Sequence, residues 1–206
     1  MAALRFGAPA PAPAASRDTD ARLAAQAAAG NRGAFHELYR LHVDAVYRRL
    51  SHLLGPDPER EDLVQQVFCE VYRGLPSFRG ESAFTTWLHR VVVNVAYQHL
   101  RRHRRKPTEP LEDLALDALI EPSISPEGRA HKKQELQRAL QLLSRLKPKK
   151  RIAFVLRHVE ELSLEEIGAL VGARPAAVGQ RVRHAQLELE EMLAREQRAQ
   201  TRRGEL

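Results

Sequence analysis

A proline-rich, acidic segment in the middle of the chain limits its fold more than any other feature. Residues 107–130 contain four prolines and six acidic residues, but only one basic residue, Arg129. Proline interrupts helices because it lacks a backbone N–H and its ring clashes with the preceding turn. The composition therefore predicts a linker between two modules, residues 20–106 and 131–196. The linker is either a solvated acidic spacer or a segment that mimics nucleic-acid charge inside a basic channel.

Apolar residues in the first module recur every three or four positions, the spacing of amphipathic helices. The pattern predicts one helix that ends at Gly55, a second that carries Leu63–Tyr72, and a third that begins at Ser82, a residue able to cap it. The valine run at 91–95 by itself suits a strand, but the helical spacing continues through Leu100. An aromatic content of only 5%, with abundant Leu, Ala, Glu and Arg, also favours helices.

The second module carries the pattern of a helix-turn-helix. Ser163 and Glu166 have the spacing of a capping box at the start of a short helix, and Gly172 suits its end. Pro175 then suits the first turn of a further helix. A short helix, a glycine-containing turn and a second helix form a geometry that reads DNA. The predicted fold class is all-α: two small helical domains, the second with a helix-turn-helix.

Both ends of the chain are predicted to lie outside the modules. Residues 1–19 are rich in Ala and Pro and lack the apolar core of a signal peptide. This favours a disordered tail over an organelle transit peptide. Residues 197–206 are polar and are predicted to form a frayed tail. No apolar run approaches the roughly 18 residues that a membrane span needs, so membrane insertion is not expected.

Charge and cysteine content narrow the possible partners and compartment. The net charge is +7, which favours a polyanionic partner. The single cysteine, Cys69, excludes an internal disulfide framework and a cysteine-rich zinc site. It fits a reducing compartment, so we expect a cytoplasmic protein.

The segment from Phe78 to Lys106 has the composition of a surface that grips single-stranded nucleic acid. It runs from a glycine-containing loop through an aromatic-bearing helix into a basic tail, where five of the last six residues are Arg or Lys. Aromatic rings hold unstacked bases, and nearby cations follow the phosphate backbone. Two alternatives remain open. Phe84, Trp87 and Tyr97 also suit a hydrophobic core, and the basic tail also suits a solvated helix end.

The last helix presents polar residues on the side opposite Val178 and Val182. Three of them can donate to base edges in a major groove, where Gln pairs favourably with adenine and Arg with guanine. They are Gln180, Arg183 and His184. Arg181 is predicted to contact phosphate instead. The alternative is an ordinary helical hairpin with a solvated polar face.

The sequence offers little support for an enzyme. His36, Glu37 and His42 do not form the HExxH arrangement, and no P-loop or nucleophile–base pair stands out. His99 and His103 lie four residues apart and could share a metal ion, although the neighbouring arginines would repel a cation. No catalytic role, cofactor or small-molecule substrate is therefore expected.

Several short segments follow one another in a characteristic order. They are Glu61–Phe68, Phe78–Phe84 with Trp87 and Leu88, Asn94 with the basic tail, Leu146–Arg151, Leu162–Gly168, and the last helix. Over residues 20–196 their order and separations resemble bacterial RNA polymerase sigma factors of the extracytoplasmic-function group, within the sigma-70 family.

The resemblance implies a role for each part of the first module. The helix from Asp62 to Tyr72 would dock on core RNA polymerase. Its implied contact residues are Asp62, Gln65, Gln66, Phe68 and Tyr72. The loop from Gly74 to Ala83 would capture a base flipped from the −10 element of promoter DNA. The residues implied at this strand are Phe78, Arg79, Trp87, Arg90, Asn94, Arg101, Arg102, Arg104 and Arg105.

The resemblance also implies the remaining partners. The helix from Pro175 would read the −35 element through Gln180, Arg181, Arg183 and His184. The acidic linker would thread the active-site and RNA-exit channel of the polymerase. Family members are commonly held inactive by an anti-sigma protein that covers both domains, so we expect such a partner here.

The chain departs from the family pattern in the last helix. Relatives usually carry Thr before the valine that matches Val178 and a cation after it, whereas this chain has Ala177 and Gly179. Gln180 replaces a small Ser. A glycine inside a helix costs about 0.5–1 kcal/mol relative to alanine, and here it also removes a cation expected to face DNA. We therefore expect an unusual −35 specificity.

Two other functions are kept as alternatives. A helix-turn-helix regulator that does not engage polymerase would bind duplex DNA tightly as the isolated chain. A metal-dependent hydrolase that uses His99 and His103 would purify with near-stoichiometric metal.

Overall fold

The computed structural model of the protein describes residues 14–55, 57–102 and 126–204. The chain divides into two compact units, with the boundary between residues 103 and 104. The helices of the first unit are α1 (Ala14–Ala28), α2 (Arg32–Leu54), α3 (Arg60–Gly74) and α4 (Phe84–Arg102), with a 3-10 turn at Leu75–Ser77. Those of the second unit are α5 (Pro126–Arg145), α6 (Pro148–His158), α7 (Leu164–Val171) and α8 (Pro175–Gly204). The predicted all-α fold is confirmed.

Some predictions fall on parts of the chain outside the described residues. They concern residues 1–13 of the N-terminal tail, residues 107–125 of the linker, His103, and the cations Arg104 and Arg105. None of the helices in the described ranges is long and apolar enough to cross a membrane.

Helices α2, α3 and α4 of the first unit pack around the predicted apolar stripes. The buried residues include Leu38, Val46, Leu50, Leu63, Val67, Val71, Leu88 and Val92. The Asn31 side chain begins α2 by accepting a hydrogen bond from the Ala34 amide at 3.1 Å, and Gly55 ends it with a φ of 72°. The shared core sets the relative positions of α3 and α4, which carry the implied polymerase and −10 residues.

Helix α1 replaces part of the predicted disordered tail, because it already begins at Ala14. It packs against α2, α4 and the Leu75–Ser77 turn. Its buried face includes Leu23, Ala24 and Ala27. Alanine is a strong helix former but a weak marker of a buried face, and this explains why the periodicity of α1 was not recognised.

Buried and partly buried polar contacts join the helices of the first unit. Among them are Asp20–His42 between α1 and α2 at 3.0 Å, Arg60–Ser51 between α3 and α2 at 3.3 Å, and the partly buried His99–Asp57 between α4 and the α2–α3 turn at 2.7 Å. The Arg60 guanidinium also lies 4.3 Å from the ring centroid of Tyr47. Because buried polar groups without partners are costly, these contacts disfavour other helix arrangements.

In the second unit, α7, the turn at Gly172 and α8 form the predicted helix-turn-helix. The Ser163 hydroxyl accepts a hydrogen bond from the Glu166 amide at 3.1 Å, and the Glu166 carboxylate accepts one from the Ser163 amide at 2.8 Å. The predicted capping box is therefore confirmed. Gly172 ends α7 in the left-handed conformation, with a φ of 63°, which glycine adopts without steric cost.

Several helix boundaries differ from the predictions. Helix α5 begins at Pro126, inside the predicted linker, since the first turn of a helix accepts proline. Helix α8 runs through the predicted polar tail to Gly204, because Glu, Gln and Arg favour helix. Helix α4 begins at Phe84 with the Ala83 carbonyl as its first acceptor, so Ser82 does not cap it.

Candidate nucleic-acid and polymerase interfaces

Three aromatic rings lie together where the loop after α3 meets the start of α4. The centroids of Phe78 and Trp87 are 5.2 Å apart, and Phe84 lies 6.1 Å from Phe78 and 5.9 Å from Trp87. Phe84 is buried, whereas Phe78 and Trp87 are each half-buried. A place in the core and a role in base stacking were both open for Phe84 and Trp87. Phe84 belongs to the core, whereas Trp87, like Phe78, keeps part of its surface accessible to a base.

The end of α3 is shaped to receive Trp87. A Cβ atom at Gly74, the last residue of α3, would lie 2.8 Å from Trp87 Cζ2. This is closer than non-bonded carbon atoms approach without strain. The sequence indicated Gly74 only as a helix breaker, but its lack of a side chain also allows Trp87 to lie against α3.

Exposed polar residues continue from the aromatic cluster along α4. They are Arg90, Asn94, Arg101 and Arg102 on α4, together with Arg79 in the preceding loop. With 3.6 residues per turn, Arg90, Asn94 and Arg101 fall within about 60° of Trp87 around the helix axis. One face of α4 thus leads from two half-buried rings to a positively charged end, an arrangement suited to a single strand.

The outer face of α3 is polar near its start and aromatic near its end. Asp62 and Gln65 are exposed, and Gln66 is half-buried. Tyr72 is 50% exposed, and its ring packs edge-on against Phe35 of α2 at 5.1 Å. These side chains offer hydrogen-bonding groups and an aromatic surface to a partner.

The role implied for Phe68 as a polymerase contact is corrected by its burial, because the residue is only 5% exposed. Its ring packs 4.6 Å from that of Tyr39 on α2, so it supports the outer face from beneath. Tyr39 is itself 36% exposed and was not predicted as part of this surface. The available signal was its spacing, four residues after Phe35 and in the same apolar pattern.

The implied base-reading residues lie on the outer side of α8. Gln180, Arg183 and His184 are all exposed, and Arg181 is half-buried at the edge of this face. Leu187, which is 48% exposed, extends the face by one turn. Its exposure was not predicted, because an isolated leucine among polar residues also suits the apolar stripe.

Two glycines set the geometry of the helix-turn-helix. A Cβ atom at Gly168 of α7 would lie 2.6 Å from the Ala173 carbonyl oxygen, so the turn passes too close to α7 for a side chain. At Gly179 of α8, a Cβ atom would lie 3.4 Å from Leu164 Cδ1, an ordinary contact. A Lys or Arg side chain at residue 179 would therefore begin in contact with α7, at the edge of the α8 face that carries the implied base-reading residues.

A histidine joins the end of α6 to α8. The Gln186 amide donates to Nε2 of His158 at 3.1 Å, and the Phe154 ring lies 4.6 Å from the His158 ring. Partial desolvation of the ring lowers the pKa of His158 below its ordinary value of 6.5, and the positive charge of Arg157 lowers it further. The neutral imidazole is therefore the form that accepts the Gln186 hydrogen bond.

The suggested histidine metal pair is not supported by the position of His99. This side chain is buried, and its Nε2 lies 2.7 Å from Asp57 Oδ2. Within the part of the chain that the structure describes, no group of three or more His, Cys, Asp or Glu residues is placed to hold a metal ion.

Two family profiles match the chain, one in each unit. The Sigma-70 region 2 profile matches residues 38–106, and the Sigma-70 region 4 profile matches residues 136–189. These ranges contain the aromatic cluster with the α4 face and the helix-turn-helix, respectively. The fold and its two surfaces thus define a transcription initiation factor of the sigma-70 type.

Comparison with individual relatives identifies the group. The ECF RNA polymerase sigma factor SigM of Mycobacterium tuberculosis is 31% identical over 175 residues, which cover 85% of each chain. The ECF RNA polymerase sigma-E factor of Escherichia coli is 32% identical over 170 residues, 80% of this chain and 88% of the relative. The chain belongs to the extracytoplasmic-function (ECF) RNA polymerase sigma factors.

Solved structures show the same fold. CnrH, determined in complex with the cytosolic domain of CnrY, matches with a TM-score of 0.59 and 28% identity over 86% of this chain and 98% of CnrH. The sigma factor RpoE of Bartonella quintana, determined in complex with the anti-sigma factor NepR, matches with a TM-score of 0.54 and 22% identity over 78% of this chain and 96% of RpoE.

Proposed function

We propose that this sigma factor docks on core RNA polymerase through α3, captures the −10 single strand with the Phe78 loop and α4, and reads the −35 duplex with α8. The observation that carries the proposal is the continuity of the half-buried Phe78–Trp87 pair with the exposed cations of α4. The protein acts in the bacterial cytoplasm by binding, without a catalytic group or cofactor of its own.

The polymerase surface combines polar and aromatic groups on one helix. Asp62, Gln65 and Gln66 supply hydrogen-bonding groups, which fix the orientation of a docked partner more than its affinity. Tyr72 supplies an aromatic anchor of the kind that carries binding energy. Phe68 contributes indirectly, because its packing on Tyr39 holds α3 against α2.

The −10 surface must offset the cost of taking a base out of the duplex. Unstacking and unpairing cost a few kcal/mol, and one base stacked on an aromatic ring returns about 1–3 kcal/mol. Phe78 and Trp87 offer the rings. The exposed side chains of Arg90 and Arg101 lie where they can follow the phosphates of the same strand, with the Asn94 amide available for hydrogen bonds.

The −35 surface is proposed to read bases with three side chains. Arg183 is suited to guanine and Gln180 to adenine, by paired hydrogen bonds in the major groove. His184 lies next to Arg183 and can donate or accept a single bond. Arg181, at the edge of the face, is assigned to phosphate. With Gly179 in place of the cation of relatives, a larger share of the specificity falls on these side chains.

An anti-sigma protein is proposed as the regulatory partner. Both solved relatives were determined in complexes, CnrH with the cytosolic domain of CnrY and RpoE with the anti-sigma factor NepR. Large apolar side chains are exposed at Tyr39, Leu41 and Tyr72 in the first unit and at Leu187 in the second. Tyr39 and Tyr72 each pack on a ring of the neighbouring helix, and a protein partner can cover these two ring pairs.

The decisive experiment is run-off transcription with bacterial core polymerase, with and without the purified chain. The templates are genomic fragments that include the region upstream of its own gene. Initiation at a discrete site only in the presence of the chain is the expected result, and it also reveals a promoter. Absence of initiation, together with absence of co-elution with core polymerase, would instead favour a plain DNA-binding regulator.

A further inference from the structure

The contact between Asp20 and His42 is a carboxylate–imidazole pair buried between α1 and α2. Asp20 Oδ1 lies 3.0 Å from His42 Nε2, and the two residues are only 3% and 9% exposed. Buried ionisable pairs seldom stabilise a fold more than well-packed apolar residues would. A buried hydrogen bond does, however, fix the orientation of a ring, which an apolar contact leaves freer to rotate. The pair is therefore better suited to positioning than to stability alone.

The His42 ring also contacts the aromatic cluster. Its centroid lies 5.3 Å from that of Phe84, with 52° between the ring planes. Phe84 in turn packs against Phe78 at 6.1 Å and against Trp87 at 5.9 Å. The Asp20 carboxylate is thus hydrogen-bonded to the His42 ring, and ring contacts continue from His42 through Phe84 to the two half-buried rings of the candidate −10 surface.

Helix α1 supports the same loop by a second route. It packs against the Leu75–Ser77 turn, which immediately precedes Phe78, and against α4, which carries Trp87. A shift of α1 would therefore displace both the loop that carries Phe78 and the helix that carries Trp87. The Asp20–His42 bond is a polar contact that ties α1 to α2.

We propose that Asp20 and His42 are positioning residues for base capture. Asp20 holds the His42 ring, His42 holds Phe84, and Phe84 sets the angle and separation of Phe78 and Trp87. This inference rests on the proposed −10 function of Phe78 and Trp87. Neither Asp20 nor His42 contacts DNA in this scheme, so their effect on promoter opening passes entirely through the aromatic pair.

The test uses holoenzyme assembled from core polymerase and full-length variants, on a promoter obtained from the run-off experiment. The variants are Asp20→Ala, which removes the bond, Asp20→Asn, which keeps an acceptor without the charge, Phe78→Ala, and the double variant Asp20→Ala with Phe78→Ala. Ser51→Ala is the matched control. It removes a buried polar contact nine residues further along α2, about 13 Å along the helix axis.

We expect Asp20→Ala to slow open-complex formation about tenfold, since misplacing binding groups by about 1 Å can cost up to a hundredfold in rate. Asp20→Asn should lie close to wild type, and Ser51→Ala should open promoters normally. All variants should keep wild-type affinity for core polymerase. The emission of Trp87, the one tryptophan of the chain, should shift in Asp20→Ala and not in Ser51→Ala.

The double variant separates positioning from general destabilisation. If Asp20 acts through the aromatic pair, Asp20→Ala adds little to the defect of Phe78→Ala, because coupled residues are not additive. Multiplying defects, or an equal defect in Ser51→Ala, would overturn the inference while leaving the −10 site in place. Normal promoter opening by Phe78→Ala would overturn the proposed −10 site itself.

Discussion

Trp87 of α4 lies so close to Gly74 of α3 that a methyl group on residue 74 would come within 2.8 Å of its Cζ2 atom. The indole can occupy this position because residue 74 has no side chain. One edge of the aromatic cluster is thus set by a glycine thirteen residues earlier in the chain. The contact also makes the position of Trp87 easy to perturb without altering any aromatic residue.

We expect Gly74→Ala to displace Trp87 and slow promoter opening, while binding to core polymerase is retained. Overpacking typically costs about 1–3 kcal/mol, and the better helix propensity of alanine returns about 0.5–1 kcal/mol. The net loss of stability should therefore be at most about 2.5 kcal/mol. Trp87 fluorescence and open-complex kinetics measure the effect, and an unchanged emission spectrum would contradict the predicted displacement.

The two glycines of the helix-turn-helix should respond in opposite directions to alanine. Gly168→Ala forces a Cβ atom against the Ala173 carbonyl oxygen, where 2.6 Å is available, and should cost about 1–3 kcal/mol of unfolding free energy. Gly179→Ala makes only an ordinary contact with Leu164 and should gain about 0.5–1 kcal/mol. Thermal unfolding of the full chain measures both changes, and equal signs would contradict the geometry.

Variants of exposed residues on α3 should impair polymerase binding, whereas a variant of its buried Phe68 should impair stability. Asp62→Ala combined with Gln66→Ala should abolish co-elution with core polymerase and leave the melting temperature near that of wild type, since neither side chain is buried. Phe68→Ala should instead lower stability by about 3–5 kcal/mol, the usual cost of truncating a buried phenylalanine. Unchanged polymerase affinity in the double variant would remove α3 from the proposed interface.

Variants of α8 should distinguish base reading from phosphate binding. Arg183→Ala and Gln180→Ala should each relax preference at one base pair of the −35 element, at a cost of about 1–3 kcal/mol. Arg181→Ala should weaken binding similarly on all sequences and reduce its salt dependence. Transcription from promoters randomised in the −35 element measures these preferences. A uniform loss in Arg183→Ala would reassign that residue to phosphate.

The lowered pKa of His158 predicts a loss of stability in mild acid. Well above pH 6.5 the imidazole is neutral in both folded and unfolded chains, so it contributes no pH dependence there. Below this value the unfolded chain takes up the proton more readily, and the free energy of unfolding falls as the pH falls. His158→Asn should weaken this dependence as the pH falls through 6.5. Equal slopes for the variant and wild type would contradict the assignment.

The features that were predicted correctly depend on interactions between residues close in sequence. The apolar spacing of α2, α3 and α4 is a property of neighbouring turns, and the capping box joins Ser163 to Glu166, three residues apart. Helix α1 escaped prediction because its buried face includes alanines, which mark burial weakly. Ser82 was assigned a cap that the structure does not use, since local propensity alone cannot decide where a loop enters a helix.

Whether a site residue is exposed or buried depends more on contacts between segments that are distant in sequence. The exposure of Gln180 and Arg183 follows from the helical period opposite Val178 and Val182, so it could be predicted. The burial of Phe68 could not, because α3 is apolar over a wide arc and Tyr39 of another helix covers this ring.

The sequence by itself determined the helices other than α1, most of their ends and the two-module organisation, because these depend on hydrogen bonds and side-chain spacing within a few residues. The tertiary structure decided which aromatic rings are core and which remain accessible, how closely Trp87 approaches Gly74, and that Asp20 meets His42 across 22 positions of sequence. These features depend on excluded volume and on burial between helices. Such contacts exist only once α1, α2, α3 and α4 have packed together.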